Sequence, residues 1–193
     1  MDPIVEAALR KWPNVPHCHG WLALDARGDW YMRDERVQAA GLFPQVKGSV
    51  IRHEKLRDFI HRNYLRDEQG GAYFQNGPQR VYVDLEVAPY VWRMQPGQDG
   101  AGGVQVMAHT GEPVQHVDSA WLDEQGRLYL ACTLPSVGPA LGLVHTLDML
   151  LAAEVVEAGL WDPQPLLAAE LPQRFGFQCR PRGDPRAVSP RAS

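Results

Sequence analysis

No apolar run in this chain is long enough to span a bilayer; the longest, around Leu150–Val156, is short and interrupted by Glu154. The first twenty residues, MDPIVEAALRKWPNVPHCHG, have no basic segment leading into an apolar core, so no export signal is expected. Cysteine is scarce. Cys18, Cys132 and Cys179 are odd in number and far apart, which suits a reducing compartment better than a disulfide framework. Together these absences predict a soluble, cytoplasmic protein with no membrane association. Basic charge is not in excess either: 19 Lys plus Arg against 23 Asp plus Glu give a net charge of −4, which argues against bulk nucleic-acid binding. Catalytic signatures are missing as well. There is no HExxH, CxxC, GxSxG or GxGxxG, and GQDGAGG (97–103) lacks the Lys-Ser/Thr end of a phosphate loop. No catalytic residue and no organic cofactor are therefore expected.

What the chain does have is a pattern. Asp-x-x-Gly-x-x-Tyr occurs as Asp25–Tyr31, Asp67–Tyr73 and Asp123–Tyr129. A calcium loop needs oxygen ligands at several alternate positions over about twelve residues, and this spacing supplies too few. A tight turn needs only the carboxylate at its start and a glycine at its fourth position. The first and third copies read as strand-turn-strand units with a helix downstream, the second as a helix handing over to a strand.

Around these turns, DPIVEAALRKW reads as a helix with Asp2 at the cap and Pro3 in the first turn. Residues 51–66 carry Leu56, Phe59, Ile60 and Tyr64 at helical spacing. After Gly71 the period becomes two, and AYFQ, RVYVDLEV, YVWRM, VQVMAH, PVQHV, AWLD and RLYLAC read as about seven strands. Asp84 and Glu86 alternate with the apolar face of RVYVDLEV and are read as solvated. GQDGAGG is read as a long hairpin loop, residues 143–159 as a closing helix, and RPRGDPRAVSPRAS (180–193) as disordered.

The texts WLALDARGDWYMRDERV, HEKLRDFIHRNYLRDEQGGAYFQNGPQRVYVDLEVAPYVWRM and the β-rich stretch leading to GLVHTL resemble an uncharacterised bacterial domain-of-unknown-function family, over roughly residues 20–159. The resemblance implies a duplicated α+β motif, a pleckstrin-homology-like C-terminal half and a groove between the halves that takes a nucleotide-like ligand. One departure is SVGPALGLVHTLDM, which stands where an arginine-bearing strand is expected. The combined expectation is an α+β fold. Residues 1–69 would form a hairpin-plus-helix subdomain and 70–163 a PH-like antiparallel sheet or barrel of about seven strands closed by its last helix. Residues 164–193 would be an extended, partly disordered tail.

Candidate ligand-binding residues follow from chemistry. Arg52 and Arg62 sit on a locally basic helix able to meet phosphates, or simply on a solvated helix face. In FQNGPQRV, Asn76, Gln79 and Arg80 place amides and a guanidinium at a turn, where they either orient a ligand or only form the turn. Trp30 or Trp92 would stack on a ring. His17 and His19 in PHCHG share one face of a strand, as two ligands of a divalent metal would, with a third from His53, His109, His116 or His145. The competing account places them at a subdomain seam. His145, Thr146 and Asp148 read either as a polar cluster or as helix caps. The leading expectation is a non-enzymatic ligand-binding or signal-transduction module for a small anionic or nucleotide-like molecule. Its alternatives are a metal-dependent hydrolase built on His17 and His19, and a module that docks a protein partner.

Overall fold

A computed structural model describes residues 1–97 and 103–182. The first half runs α1 (Pro3–Lys11), β1 (Cys18–Leu24), β2 (Trp30–Met32), α2 (Glu35–Ala40), β3 (Ser49–Val50), α3 (Glu54–Arg62), β4 (Tyr64–Arg66), β5 (Ala72–Asn76) and β6 (Gln79–Leu85). The second runs β7 (Tyr90–Pro96), β8 (Val104–Ala108), β9 (His116–Leu122), β10 (Leu128–Leu134), β11 (Gly138–Val144), α4 (Met149–Glu157), β12 (Gln164–Pro165) and α5 (Leu171–Phe175). The fold is α+β, with two six-stranded sheets ordered β3-β2-β1-β6-β5-β4 and β12-β9-β10-β11-β7-β8. Among the described residues no helix is long and apolar enough to cross a membrane.

One topology is used twice. In the first sheet, hairpin β1–β2 lies parallel, through β1, to the last strand of the antiparallel meander β4-β5-β6. In the second, hairpin β7–β8 lies parallel, through β7, to the last strand of β9-β10-β11. The helix differs in place: α3 is inserted before the first meander, whereas α4 follows the second. The Asp67 and Asp123 turns are thus equivalent, each joining the first two strands of a meander, while the Asp25 turn closes a β1–β2 hairpin. The second and third copies correspond, not the first and third.

All three are turns built by the aspartate. Asp25 Oδ1 accepts from the Arg27 and Asp29 amides (2.9 and 3.0 Å), Asp67 Oδ1 from Gln69 and Gly71 (3.0 and 2.8 Å), and Asp123 Oδ1 from Gln125 and Arg127 (both 2.9 Å). Each glycine has a positive φ (85°, 83° and 75°), where a Cβ would be strained.

Several expectations are corrected. The barrel of about seven strands is an open sheet of six, one of which, β12, comes from the C-terminal arm. The helix expected over 51–66 stops at Arg62, because the buried Asn63 folds its amide back onto Phe59 O (2.9 Å) and the chain becomes β4. The helix expected from 143 begins at Met149, because residues 138–144 form β11, a strand inserted between β10 and β7. Asp84 is not solvated but 2% exposed, since both faces of β6 are covered. Its carboxylate lies 3.4 Å from Arg33 Nη1, whose side chain is equally buried.

The cover on that second face includes the arm after α5. Leu85 N donates to Cys179 O (2.8 Å), and Gln178 N to Gly70 O (3.0 Å). Residues 164–182 thus include β12 and α5, and they pack Leu171 and Phe177 at 2% and 4% exposure where an extended tail was expected. The loop expectation for 97–103 falls mainly outside the described residues, as does the disorder expected over 180–193 beyond residue 182; Arg180 itself is placed, donating to Phe43 O at 2.9 Å. The strands on either side of 97–103, β7 and β8, are antiparallel neighbours with Pro96 opposite Val104. Apolar side chains from both sheets form one continuous core, from Leu22, Phe74 and Val83 to Trp92, Leu130 and Leu141.

Candidate functional site

The two halves meet on aromatic rings. Tyr64 of β4 stands edge-on to Tyr90 of β7 (5.6 Å between centroids) and donates its hydroxyl to Pro89 O at 2.8 Å. Trp30 of β2, His61 of α3 and His109 after β8 close the cluster, with centroid separations of 5.7 to 6.1 Å. Beside it opens a cavity of about 290 Å³. His61, Arg62 and Tyr64 line it from the first half, and Tyr90, Thr110, Gly111, Glu112 and Ser136 from the second.

Hydrogen bonds fix the tautomers of both histidines. The Trp30 indole can only donate, and it gives its Nε1–H to His61 Nε2 (2.9 Å), so the neutral ring carries its proton on Nδ1. Val91 N–H donates to His109 Nδ1 (3.3 Å), which leaves the proton on Nε2. That Nε2–H is buried and has no hydrogen-bond partner among the described residues. Burial, with a smaller contribution from neighbouring His61, pushes the His109 pKa down to about 3. Burial lowers His61 as well. Both rings are therefore neutral at physiological pH.

At the rim the two halves offer opposite charges. Arg62 gives Nε and Nη2 to the Asp2 carboxylate (3.1 to 3.3 Å), which holds Asp2 below the usual carboxylate range and leaves Nη1 without a hydrogen bond among the described residues. Glu112 accepts from Ser136 N (2.7 Å) and Ser136 Oγ (2.6 Å). The Ser136 hydroxyl is thus spent on holding the carboxylate, not set against a histidine as a nucleophile would be.

Of the candidate ligand and metal residues read from the sequence, only Arg62 lines this cavity. Trp30 and Trp92, expected to stack on a ligand, are core residues at 1% and 0% exposure: Trp92 stacks on Tyr90 (5.5 Å, 3° between planes) and donates to Leu130 O. Gln79 Nε2 donates to Pro16 O (2.9 Å), and the Arg80 guanidinium covers the Tyr73 ring at 4.6 Å. Asn76 is exposed at the end of β5 and borders a separate apolar cavity, while Arg52 is exposed just ahead of α3.

His17 and His19 both lie against Tyr82, His19 stacked at 4.5 Å and His17 edge-on at 5.8 Å. His19 Nδ1 is 3.1 Å from Pro181 O. No group of three or more His, Cys, Asp or Glu among the described residues is placed to hold a metal ion. The other histidines are accounted for: His53 and His145 cap helices through Nδ1, and exposed His116 lies 3.8 Å from Asp118. Asp148, read as a cap, binds Arg93 (2.7 Å) and Met94 N (3.0 Å) instead. His61, Tyr90, Thr110, Glu112 and Ser136 carried no spacing signal.

A family model described as Protein of unknown function (DUF2946) matches residues 1–182. The chain belongs to this family. None of the curated proteins matches it. Among solved structures, a DUF1285 family protein from Silicibacter pomeroyi DSS-3 is similar with a TM-score of 0.52 at 13% identity, over 80% of this chain and 85% of that one. A DUF1285 family protein from Shewanella baltica OS155 is similar with a TM-score of 0.45 at 16% identity, over 69% and 91%. At these identities the first likeness shows a shared fold and nothing about activity. The DUF2946 chain is thus a member of an uncharacterised family.

Proposed function

We propose that this DUF2946 protein is a non-enzymatic binding module of the cytoplasm, which takes a small anionic, nucleotide-like ligand where its two repeats meet. In this reading the halves act as subdomains, the second PH-like in use, and occupancy of the seam is the signal. One observation carries the proposal: the cavity between α3–β4 and the loops after β8 and β10, with Arg62 on one wall and Glu112 on the other. A phosphate or carboxylate would meet Nη1 of Arg62. Hydroxyl or amino groups of the same molecule would donate to Glu112, and its ring would lie against Tyr64 and Tyr90. The volume is at the small end of ligand pockets, which suits a mononucleoside phosphate better than a dinucleotide.

Isothermal titration against mononucleotides and inorganic phosphate tests this. Binding of at least one, weakened tenfold or more in Arg62→Ala and in Glu112→Gln, is expected. Absence of binding across the panel, or binding indifferent to both substitutions, overturns it.

A further inference from the structure

A second cavity, of about 300 Å³, opens on the other side of α3. At 100° per residue, Leu56 and Ile60 face the sheet, His61 lies on the seam flank, and Phe59 takes the opposite flank. There the floor is apolar: Leu22 of β1, Phe74 of β5 and Val81 of β6 lie beneath Leu56 and Phe59. Phe59 stands edge-on to Phe74 at 5.4 Å. Trp21 and Met32 form the mouth and are 39% and 49% exposed, a large apolar pair left in water. Apart from the Trp21 indole N–H, only Cys18 and Asn76 bring polar side-chain groups to the lining. Water held against such walls makes few hydrogen bonds, and an apolar guest displaces it favourably.

The rim says which guest. Arg52 directly follows the lining residue Ile51, and Lys55, four residues before Phe59, shares its edge of α3. Both are exposed, and neither forms an ion pair among the described residues. The acidic residues of the helix, Glu54 and Asp58, fall on its outward crest, away from the cavity. An apolar slot whose lining residues Ile51 and Phe59 adjoin two cations, neither in an ion pair among the described residues, is complementary to a single-chain amphiphile with an anionic head. We infer that this flank of α3 binds a medium-chain carboxylate, its chain between Leu22 and Phe59 and its head at Arg52 and Lys55. The site is distinct from the seam cavity and does not depend on it.

The test uses the full chain, decanoate below its micelle concentration, and Trp fluorescence, with Trp21 at the mouth as reporter. Saturable one-to-one binding of decanoate is expected, at least tenfold tighter than decanol or decyltrimethylammonium. Met32→Trp, which plugs the mouth from an exposed position, and the double reversal Arg52→Glu/Lys55→Glu should each weaken it tenfold or more. Neither should alter a nucleotide response at the seam. Flotation with phosphatidylcholine and phosphatidylglycerol vesicles separates the remaining case: adsorption to vesicles without binding of monomeric decanoate makes the patch a membrane surface and overturns the inference. So does an absence of saturation, equal binding of the neutral and cationic chains, or binding unmoved in both variants.

Discussion

The hydroxyl of Tyr129 donates to Asp123 Oδ2 at 2.9 Å, while Oδ1 of the same carboxylate holds the turn amides. Arg127 Nε adds a bond to Oδ2 at 2.6 Å. Burial pushes the Asp123 pKa up, but these hydrogen bonds outweigh it and leave the carboxyl below its ordinary value. The turn and the strand it feeds are therefore one unit, tied by a charged acceptor. Tyr129→Phe should lower stability by about 2 kcal/mol, the scale of a lost hydrogen bond to a buried charge, read from urea midpoints.

The same sequence pattern is wired differently at Asp67. Its Oδ2 accepts from Tyr82 of β6 at 2.8 Å, not from Tyr73 at the pattern's own tyrosine position, as Asp25 does from Tyr31 (3.1 Å). Tyr73 lends its ring to Arg80 instead. Tyr82→Phe should cost about 1–2 kcal/mol and Tyr73→Phe less than about 0.5, because phenylalanine preserves the ring face. Equal effects in equilibrium denaturation would contradict this assignment.

These turns show what was readable in the chain and what was not. Local chemistry was legible: Asp-x-x-Gly gave three turns, alternation after Gly71 gave β5 to β7, and the stripe through Leu56 and Ile60 gave α3. Residues whose state is set by partners distant in sequence were not. The segment Ala140–Val144 is buried throughout between β10 and β7, so it shows no period of two, and its last two residues read as the start of a helix. Asp84 reads as solvated because nothing local shows that Arg33 and the arm from Cys179 cover it. The seam is the extreme case, since His61, His109 and Ser136 come together only when the two repeats dock.

Gly142 is the place where β11 depends most on one residue type. Trp92 lies across it, and a Cβ at position 142 would come within 2.5 Å of the indole Cε2. The indole cannot shift without loosening its bond to Leu130 O (2.9 Å) and its stack on Tyr90. Gly142→Ala should destabilise by about 1–3 kcal/mol or more, as overpacking does, and should red-shift Trp emission. An unchanged melting temperature would show that the indole has room to move.

The neutral histidines at the seam predict a pH dependence. In the unfolded chain His109 titrates near 6.5, but in the fold only near 3. Between those values the unfolded state binds more protons, so stability falls as pH falls through this window. The slope contributed by His109 approaches about 1.4 kcal/mol per pH unit well below pH 6.5, and His61, also lowered, adds in the same direction. His109→Phe should flatten the dependence between pH 6 and about 4.5, above the range where Asp25 and Asp123 begin to protonate. Parallel curves for the variant and the parent would place the acid sensitivity elsewhere.

Arg33 and Asp84 form the most deeply buried ion pair among the described residues, and their surroundings decide how it responds to change. Arg33 also donates to Val46 O (3.2 Å) and Gly41 O (2.6 Å), so its charge is met by carbonyls as well as by the carboxylate. Asp84 has Arg33 at 3.4 Å and Arg182 at 4.0 Å, yet burial outweighs these cations and leaves its pKa raised. A buried carboxylate that is hard to ionise tolerates loss of its charge better than loss of its partner. Arg33→Met, which strands Asp84, should cost about 3–5 kcal/mol. Asp84→Asn should cost less, because Arg33 keeps two carbonyl acceptors. The double variant should fall short of the summed single effects by about 1 kcal/mol or more, the signature of a direct contact in a double-mutant cycle. Additive effects across that cycle would mean that each residue is held by its other neighbours.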